Sequence, residues 1–556
     1  MQDNIKQIVS DCLRELYDID KEVEIDQTEE QFGDYSSNIA FHLSATVKKS
    51  PLEIAEEITA KISSNNLFNS VKVAGPGFVN FTLANSALID NILIEPQKYF
   101  SNQTIVVEFS DPNPFKILHA GHLYTSVVGD VIANLLEVAG ATVHRVNFGG
   151  DIGTHVAKTL WAVTQELGGE IPDKLNDITE NERLDFLSRC YVKGNKSYEE
   201  EDGQIKNDIK SLSKRIYDIA VNHDHSTPLA KIYWQCRQWS YDYFESFYGS
   251  LNINFEKYYP ESEVAELGKQ IVMSHMPDVY QESQGAVIFD GQKYGLYSNV
   301  FINNQGVPTY AAKDVGLIFR KWQDFHYDKS IIITGSEQDG YMKVVLKSVS
   351  FFEPKMVDST VHITHGLVKF SSGQKMSSRT GKAVAAKDVI DAAYQVAKEK
   401  DLSEDSTVIL GAIRYTFLKQ RIGGDILYDP KESVSLDGNS GPYLQYAYAR
   451  AHNILIKVDQ NVLDLKSIDN FTSYERSLLR KMASYNDALD LAIKELKPHY
   501  LTTYLYELSQ VFNRFYENSR VIGDERQDIR LAMIRLYVDK LGHGLKVLGV
   551  EPIERM

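Results

Sequence analysis

Apolar residues recur at helical spacing from the start of the chain, where Ile5, Ile8, Val9, Cys12, Leu13 and Leu16 mark one face of an amphipathic helix. Pro51 opens a second helix, L-E-I-A-E-E-I-T-A-K-I, from its first turn. The period then drops to two. V-K-V-A-G-P-G-F-V-N-F-T-L reads as two strands around a Gly-Pro-Gly turn. These elements predict a small α+β domain over residues 1–100, with polar residues near Pro96 and Ser101 to Gln103 at its boundary.

From Thr104 the pattern alternates strand and helix. T-I-V-V-E-F is followed by the helical run H-L-Y-T-S-V-V-G-D-V-I-A-N-L-L-E-V-A-G and the strand A-T-V-H-R-V-N-F, one βαβ unit of a parallel sheet. A matching unit comes much later, S-I-I-I-T, the loop G-S-E-Q-D-G, then Y-M-K-V-V-L-K-S-V. The segment between, at about 151–328, is a helical and polar insertion, in which S-Y-E-E-E-D-G-Q-I-K-N-D is expected to be a solvated loop. The α/β domain is placed at 101–400. From about Asp401 the periodicity is almost purely helical, which predicts an all-α bundle over 401–556. There is no internal repeat and no low-complexity segment.

Composition narrows the setting. A chain of 556 residues exceeds one ordinary core. No apolar run is long enough for a membrane span, and the charged stretch Met1 to Asp20 lacks a signal-peptide core, so no membrane partner is expected. The three cysteines lie far apart, at 12, 190 and 236, which rules out a CxxC zinc site and favours a reducing cytoplasm. The net charge of −17 disfavours coating by nucleic acid through bulk charge, yet leaves room for a local basic track.

The chemistry concentrates in S-D-P-N-P-F-K-I-L-H-A-G-H-L, Ser110 to Leu123. A histidine taken alone is more often structural than catalytic. Here Gly121 and His122 fall where a strand has ended and a helix begins, the ligand crevice of open α/β folds. The helix N-terminus offers free N–H groups to a phosphate. Glycine allows close approach, and the two imidazoles with Lys116 can donate to phosphate oxygens as charge develops. No GxxxxGK[ST] loop occurs, so this is a nucleoside triphosphate site of another kind. F-S-S-G-Q-K-M-S-S-R-T-G-K, Phe370 to Lys382, follows the strand V-H-I-T-H. Alone it reads as a solvated basic loop; opposite H-A-G-H it suits a segment closing over a polyphosphate.

H-A-G-H and K-M-S-S-R resemble the H-I-G-H and K-M-S-K-S motifs of class I aminoacyl-tRNA synthetases. Within that class the chain resembles the arginyl-tRNA synthetases almost end to end, through F-G-D-Y-S-S-N-I-A, G-P-G-F-V-N-F, V-V-E-F-S-D-P-N-P-F-K-I-L-H-A-G-H-L, G-G-D-I-G-T-H, T-Y-A-A-K-D, T-G-S-E-Q-D, G-N-S-G-P-Y-L-Q-Y-A-Y-A-R and E-P-I-E-R-M. The resemblance implies a multidomain α/β protein. Its parts are a Rossmann-type catalytic domain with an inserted connective segment and a KMSKS-type loop at 371–382, a small N-terminal α+β domain that reads the tRNA elbow, and a C-terminal helical anticodon-binding bundle. It implies an arginine–tRNA ligase that forms arginyl-adenylate from arginine and ATP, then esterifies the 3′-terminal adenosine of tRNA(Arg), releasing AMP and pyrophosphate. ATP with Mg²⁺ is expected, with no zinc, and the working form is taken as a monomer.

The same resemblance assigns roles residue by residue. Lys116, His119, His122 and Lys375 are expected to be catalytic, and Gly121, Met376, Ser377, Ser378 and Arg379 to bind ATP. The class motif carries a lysine where this chain has Ser378, and Lys116, three residues before His119, takes the place of the cation that substitutes for it in such relatives. Arginine calls for carboxylates and a flat, hydroxyl-bearing neighbour, because the guanidinium is planar and always charged. Glu108 ends the first strand, and Asp314 follows Tyr310 by one helical turn, so both of the latter can face one side. The resemblance gives Glu108, Tyr310 and Asp314 the side chain, Asn113 and Gln338 the backbone ends of the amino acid, and Ser110 a place beside them. Without it, Glu108 and Asp314 would read as buried partners of protein arginines. Expected tRNA contacts are Phe78 and Asn80 in the first domain, and Tyr446, Arg450, Tyr516, Arg520 and Met556 in the last. Periodicity alone would place Phe512, Phe515 and Tyr516 in a core. A tRNA-independent nucleotidyltransferase has no need of the long helical tail, and a non-catalytic tRNA-binding relative has no need of Lys116, His119, His122 and Lys375.

Overall fold

The computed structural model describes residues 1–200, 203–371, 384–458, 463–468 and 470–555, with Glu200 described in its backbone alone. Their contacts separate into two compact units, Met1–Gln97 with Ser435–Met556, and Lys98–Val434.

In the first unit, strands β1 (Asp26–Gln27), β2 (Tyr35–Ser37), β3 (Phe68–Ala74) and β4 (Phe78–Leu83) form an antiparallel sheet in the order β1-β2-β4-β3. Helix Pro51–Ile62 starts at a capping box: Ser50 Oγ accepts the Glu53 N–H at 3.3 Å, and the Glu53 carboxylate accepts the Ser50 N–H at 2.8 Å. Along β4, Val79, Phe81 and Leu83 are buried, which turns Phe78, Asn80 and Thr82 to the other face. The C-terminal part of this unit is helical, with Ser473–Ala483, Tyr485–Glu495, His499–Asn518 and Gln527–Val547 enclosing Leu478, Met482, Leu505, Phe512 and Tyr537. The rings of Phe512 and Tyr537 stack at 3.9 Å.

One buried carboxylate joins the sheet to these helices. Asp34, 1% exposed, accepts two hydrogen bonds from the Arg476 guanidinium at 3.1 and 2.8 Å, lies 3.0 Å from Arg480 Nε, and accepts the Leu83 N–H at 2.7 Å. Glu475, fully buried, holds Arg526 and Arg530 in the same manner.

The second unit is built on a five-stranded sheet. Strands β5 (Thr104–Glu108), β6 (Thr142–Gly149), β7 (Lys257–Pro260), β11 (Lys329–Gly335) and β12 (Thr360–His365) are all parallel, in the order β12-β11-β5-β6-β7. Strands β8 (Gln281–Ser283), β9 (Ala286–Phe289) and β10 (Asn299–Ile302) form a small antiparallel sheet between β7 and β11 in sequence. Strand order reverses at β5, which opens a crevice beyond the C-terminal ends of β5 and β11. Helices Thr154–Leu167, Glu180–Glu200, Gly203–Val221 and Pro228–Ser250 form the insertion, with a core of its own around Val156, Leu160, Ile209, Ile216, Tyr233 and Cys236. The acidic run expected to be a loop is helix on both sides of residues 201 and 202. Buried Ile209, Leu212, Ile216 and Ile219, with partly buried Ile205, give the second of these helices an apolar stripe, which its charged remainder masked. Helix Ser406–Leu418 packs in this unit against Ala120–Val138, where Arg414 donates to Asp130 and both are buried. Strand β14 (Ile426–Tyr428) pairs in parallel with β13 (Val368–Phe370), an extended interruption of the helical pattern beyond Asp401.

The two helices that face the crevice cross at glycines. A Cβ on Gly268, in helix Glu261–Ser274, would lie 1.8 Å from the Ala312 carbonyl oxygen, and one on Gly316, in helix Tyr310–Phe325, 2.3 Å from that of Val264. Only glycine permits this approach.

Replacing Asp34 with alanine strands two arginine charges, a change that costs about 3–5 kcal/mol when a buried pair is broken. Asp34→Ala is expected to lower the free energy of urea unfolding by that order, and Arg14→Ala far less, since its partners Asp11 and Asp20 are exposed. Equal unfolding midpoints for the two variants would show that Asp34 does not hold this unit together.

Candidate active site

The crevice is a cleft of about 1030 Å³. At one end lies the start of helix Ala120–Val138. Gly121 lets the His119 ring fold back over the helix: a Cβ there would meet His119 Cε1 and Nδ1 at 2.9 Å. The His119 and His122 rings stack at 3.7 Å, and His122 Nδ1 accepts the His119 N–H at 3.1 Å. That bond fixes the tautomer, so the proton of neutral His122 sits on Nε2. Desolvation, then the Lys116 charge, pushes His119 down to about 4. Desolvation, then His119, pushes His122 well below the usual imidazole range. Both rings are therefore neutral donors at pH 7.

The turn into this helix is strained. Ser110, Asp111 and Phe115 have φ of 73°, 46° and 68°, values that cost a non-glycine residue and persist only where the surroundings enforce them. The enforcing contacts are visible: Asp111 Oδ1 accepts the Phe148 N–H at 2.8 Å, Asn113 Oδ1 accepts that of Gly150 at 3.1 Å, and Ser240 Oγ accepts that of Phe115 at 3.0 Å. With its oxygen engaged, Asn113 has its amide N–H groups left for the cleft it lines. Ser110 also lines the cleft, but its hydroxyl is taken up by Tyr248 at 2.8 Å and Ser126 at 2.9 Å.

The other end of the cleft is acidic. Glu108, Asp111, Glu261 and Asp314 all line it, with Tyr310, Tyr341 and Gln338. Burial, opposed by the Tyr341 hydrogen bond and reinforced by Glu108, raises Asp314 to about 7, and burial with Glu108 raises Asp111 well above the carboxylate range. Two lysines hold the remaining acids: Lys321 donates to Glu108, and Lys313 to Glu261 at 2.5 Å, all four nearly inaccessible. Tyr310, Asp314 and Lys321 lie along one stripe of helix Tyr310–Phe325, at i, i+4 and i+11. His155 Nε2 donates to the Gly150 carbonyl at 2.7 Å, so its Nδ1 accepts from the Tyr310 hydroxyl at 3.2 Å. Burial, then Lys116, keeps His155 down at about 3, so this chain of hydrogen bonds holds at neutral pH and leaves the Tyr310 oxygen as an acceptor.

The structure thus gathers Glu108, Ser110, Asn113, His119, Gly121, His122, Tyr310, Asp314 and Gln338 around one cleft. Lys116 is not brought to the lining. Its ammonium stands over the Tyr191 ring of the insertion at 5.6 Å, and burial lowers its pKa against the pull of Glu261. Glu108 and Asp314 are buried and partnered, by a lysine and a tyrosine rather than by protein arginines. Lys375, Met376, Ser377, Ser378 and Arg379, with the rest of the 371–382 loop after Ser371, lie outside the described residues, as does Met556. Among the described residues no group of three His, Cys, Asp or Glu side chains is placed to hold a metal ion, and no helix is long and apolar enough to cross a membrane. The three cysteines are buried free thiols.

Sequence reading missed Asp111, His155, Glu261, Lys313, Lys321 and Tyr341. Four carried a usable signal: Asp111 and His155 stand within quoted motifs, Lys313 precedes Asp314, and Lys321 is two turns beyond it. Glu261 opens a helix behind Pro260 and carried none.

In the first unit, Phe78 is exposed and meets Phe41 edge-on at 5.0 Å, while Asn80 lines a shallow cavity with Lys72 and Arg476. Phe512 and Phe515 are core, but Tyr516 is half-buried with the Arg450 guanidinium over its ring at 4.3 Å. Tyr446 is exposed, and Arg520 is exposed with its Nε donating to the Ile522 carbonyl at 3.2 Å.

Residues 2–83 match the family model described as Arginyl tRNA synthetase N terminal domain, residues 84–423 that described as tRNA synthetases class I (R), catalytic domain, and residues 444–556 that described as DALR anticodon binding domain. An arginine–tRNA ligase of Clostridium perfringens is 28% identical, aligned over 98% of this chain and 97% of its own length. Among solved structures, the arginyl-tRNA synthetase of Thermus thermophilus shares the fold at a TM-score of 0.80 and 23% identity over 100% of both chains, and that of Plasmodium falciparum at 0.75 and 20% identity over 100% of this chain and 99% of that one. With the catalytic-domain model alone spanning more than half of its length, the chain belongs to the class I arginyl-tRNA synthetases.

Proposed function

We propose that the cleft joins arginine to ATP and then to tRNA, and that its two ends divide the work. The observation that carries this reading is the continuity of the acidic end, around Glu108, Tyr310 and Asp314, with the histidine end, around His119, Gly121 and His122, in a single cleft. Arginine lies with its guanidinium against Asp314, Glu108 and the Tyr310 oxygen, and with its α-amino and carboxylate groups toward Asn113 and Gln338. Its carboxylate then points to the helix start, where the ATP phosphates rest against Gly121 and the positive end of helix Ala120–Val138.

In the first step a carboxylate oxygen of arginine attacks the α-phosphorus, the bond to the bridging oxygen breaks, and pyrophosphate leaves. His119 and His122 donate from neutral imidazoles to oxygens that gain charge as this happens. Lys116, a long side chain resting on the Tyr191 ring, swings to the triphosphate and supplies the positive charge that Ser378 does not; Lys375 and Arg379 approach from the loop. Mg²⁺ arrives with ATP as part of the substrate. In the second step the 2′-hydroxyl of the terminal adenosine attacks the arginyl carbonyl and AMP departs. No covalent enzyme intermediate is needed, since positioning and preorganised charge carry such reactions.

tRNA is held elsewhere on the chain by stacking. Phe78 and Asn80 share the open face of β4 and suit unpaired bases of the elbow. Tyr446, Arg450, Tyr516, Arg520 and Met556 suit the anticodon loop, where a base extends the Arg450–Tyr516 pair. The location we infer is the cytoplasm, as a monomer, in keeping with three buried thiols.

Arginine-dependent ATP–pyrophosphate exchange, with and without tRNA, tests the reading. Lys116→Ala is expected to lower kcat in this assay on the order of 10²-fold or more while the arginine KM stays near the wild-type value. Wild-type exchange by that variant would end the role given to Lys116.

Asp314 carries a pH signature. Its folded-state pKa lies above the model-peptide value, so below about pH 7 the carboxyl holds its proton and offers the guanidinium no charge. The kcat/KM for arginine is therefore expected to fall roughly tenfold per pH unit on the acid side of about 7. Asp314→Asn should raise the arginine KM at least tenfold, as loss of a charge-assisted pair worth about 1.5–3 kcal/mol requires, and should erase that acid limb. A variant that changes only the ATP KM would place Asp314 away from the guanidinium.

Tyr516→Ala is expected to weaken tRNA charging about tenfold, since stacking on one aromatic is worth about 1–3 kcal/mol, with little change in melting temperature. Collapse of the C-terminal helices in that variant would make Tyr516 a core residue.

A further inference from the structure

Beside the cleft, helix Asp339–Val349 carries a surface that the reaction described above does not use. Its first turn belongs to the cleft, through Gln338, Tyr341 and Met342. From there one face of the helix runs outward through Gly340, Lys343 and Lys347, at i, i+3 and i+7, toward Phe351 in the turn that follows. Three aromatic rings stand on this face although water reaches nearly half of each: Tyr297 is 49% exposed, Tyr294 46% and Phe351 45%. Tyr297 lies against Gly340, where an added Cβ would come 3.5 Å from its ring. Tyr294 and Phe351 sit 5.2 Å apart, centroid to centroid.

Lysine is set among these rings. Lys347 Nζ lies 4.9 Å from the Tyr294 centroid and 4.7 Å from that of Phe351, and no carboxylate within 4 Å pairs with it among the described residues. Lys343 and Lys293 flank it, each with one aspartate on its own element, Asp339 at 2.6 Å and Asp290 at 3.5 Å. In a chain of net charge −17, an unpaired ammonium held between exposed rings stands out from its surroundings. A protein core would cover such rings, and a solvated face has no need of three. Rings flanked by cations are the combination that binds single-stranded nucleic acid, the bases stacking and the phosphates meeting the lysines.

We propose that this face receives the single-stranded 3′ end of tRNA, the two nucleotides before the terminal adenosine stacking along Tyr297, Tyr294 and Phe351 with their phosphates at Lys347 and Lys343. The proposal rests on the reading of the cleft as the site of aminoacyl transfer, and it adds the path by which the terminal adenosine enters. The dimensions agree. From Gly340 to Val349 the helix rises about 14 Å, room for a few stacked nucleotides. The face begins where Tyr341 and Met342 line the cleft, so an adenosine at its inner end reaches the arginine site.

The test uses the full-length protein, tRNA(Arg), and the same tRNA trimmed of its three 3′-terminal nucleotides. Lys347→Gln and, separately, Tyr297→Leu are expected to weaken binding of intact tRNA roughly fivefold or more, and to leave binding of trimmed tRNA unchanged. Arginine and ATP KM should stay at wild-type values, and melting temperatures should hold. The surface is ruled out if either variant weakens intact and trimmed tRNA equally, or if neither variant weakens intact tRNA. Wild-type arginylation measured alongside separates the two ideas: a wild-type enzyme that charges tRNA while both variants bind intact tRNA normally overturns the surface and leaves the reading of the cleft standing.

Discussion

Carboxylates crowded together out of water repel one another, and the second unit is arranged around that constraint. Glu108, Asp111, Glu261 and Asp314 line one end of one cleft. Four full negative charges in such a place would cost many kcal/mol without compensation. The protein answers in two ways. Lys321 and Lys313, buried themselves, neutralise Glu108 and Glu261. Asp111 and Asp314 instead drift upward in pKa, Asp314 to about 7. The result is a site with two lysines for four acids, which suits the guanidinium proposed for it. Helix Tyr310–Phe325 supplies Tyr310, Lys313, Asp314 and Lys321, and the glycine crossing at Gly268 and Gly316 brings it close enough to Glu261–Ser274 for Lys313 to reach Glu261.

The opposite end of the cleft presents neutral donors. Desolvation and the Lys116 charge keep His119 and His122 unprotonated, so each offers one N–H without adding a cation that would bind the Asp–Glu cluster in place of substrate. The strained turn between Ser110 and Phe115 serves both ends. It is over-determined, because its own Asp111 and Asn113 side chains accept the N–H groups of Phe148 and Gly150 and Ser240 of the insertion accepts that of Phe115, so Asn113 and His119 are set before any ligand arrives. Strain of this sort is found where geometry matters more than stability.

In the first unit charge has a structural role. Asp34 and Glu475 are each buried and each grip two arginines distant in sequence, those of Asp34 more than 400 residues on and those of Glu475 51 and 55 residues on. Such pairs add little over a well-packed apolar contact, but losing one partner is severe, which makes them fasteners of register rather than sources of stability. With the core secured this way, rings such as Phe78 and Tyr446 stay at the surface.

The sequence by itself determined the periodic elements, the parallel sheet with its insertion, and the motif at the helix start, because periodicity and turn residues are local. It also placed Tyr310 and Asp314 on one helix face, since a 3.6-residue repeat is arithmetic. It reached its limit where partners are distant in sequence. That Glu108 is held by Lys321 and not by an arginine, that Ser110 spends its hydroxyl on Tyr248, and that Lys116 rests on Tyr191 all depend on which elements meet. The acidic stretch around Glu199 reads as solvent-exposed by composition, yet folds as helix because Ile205, Ile209 and Ile216 find a core that only the assembled insertion provides. A helical period likewise shows that Ser406–Leu418 is a helix but not that it belongs beside Ala120–Val138, since burial against one neighbour or another leaves the same apolar stripe. Charge pairing and side-chain direction are tertiary facts, and they decide which of the legible residues face the substrate.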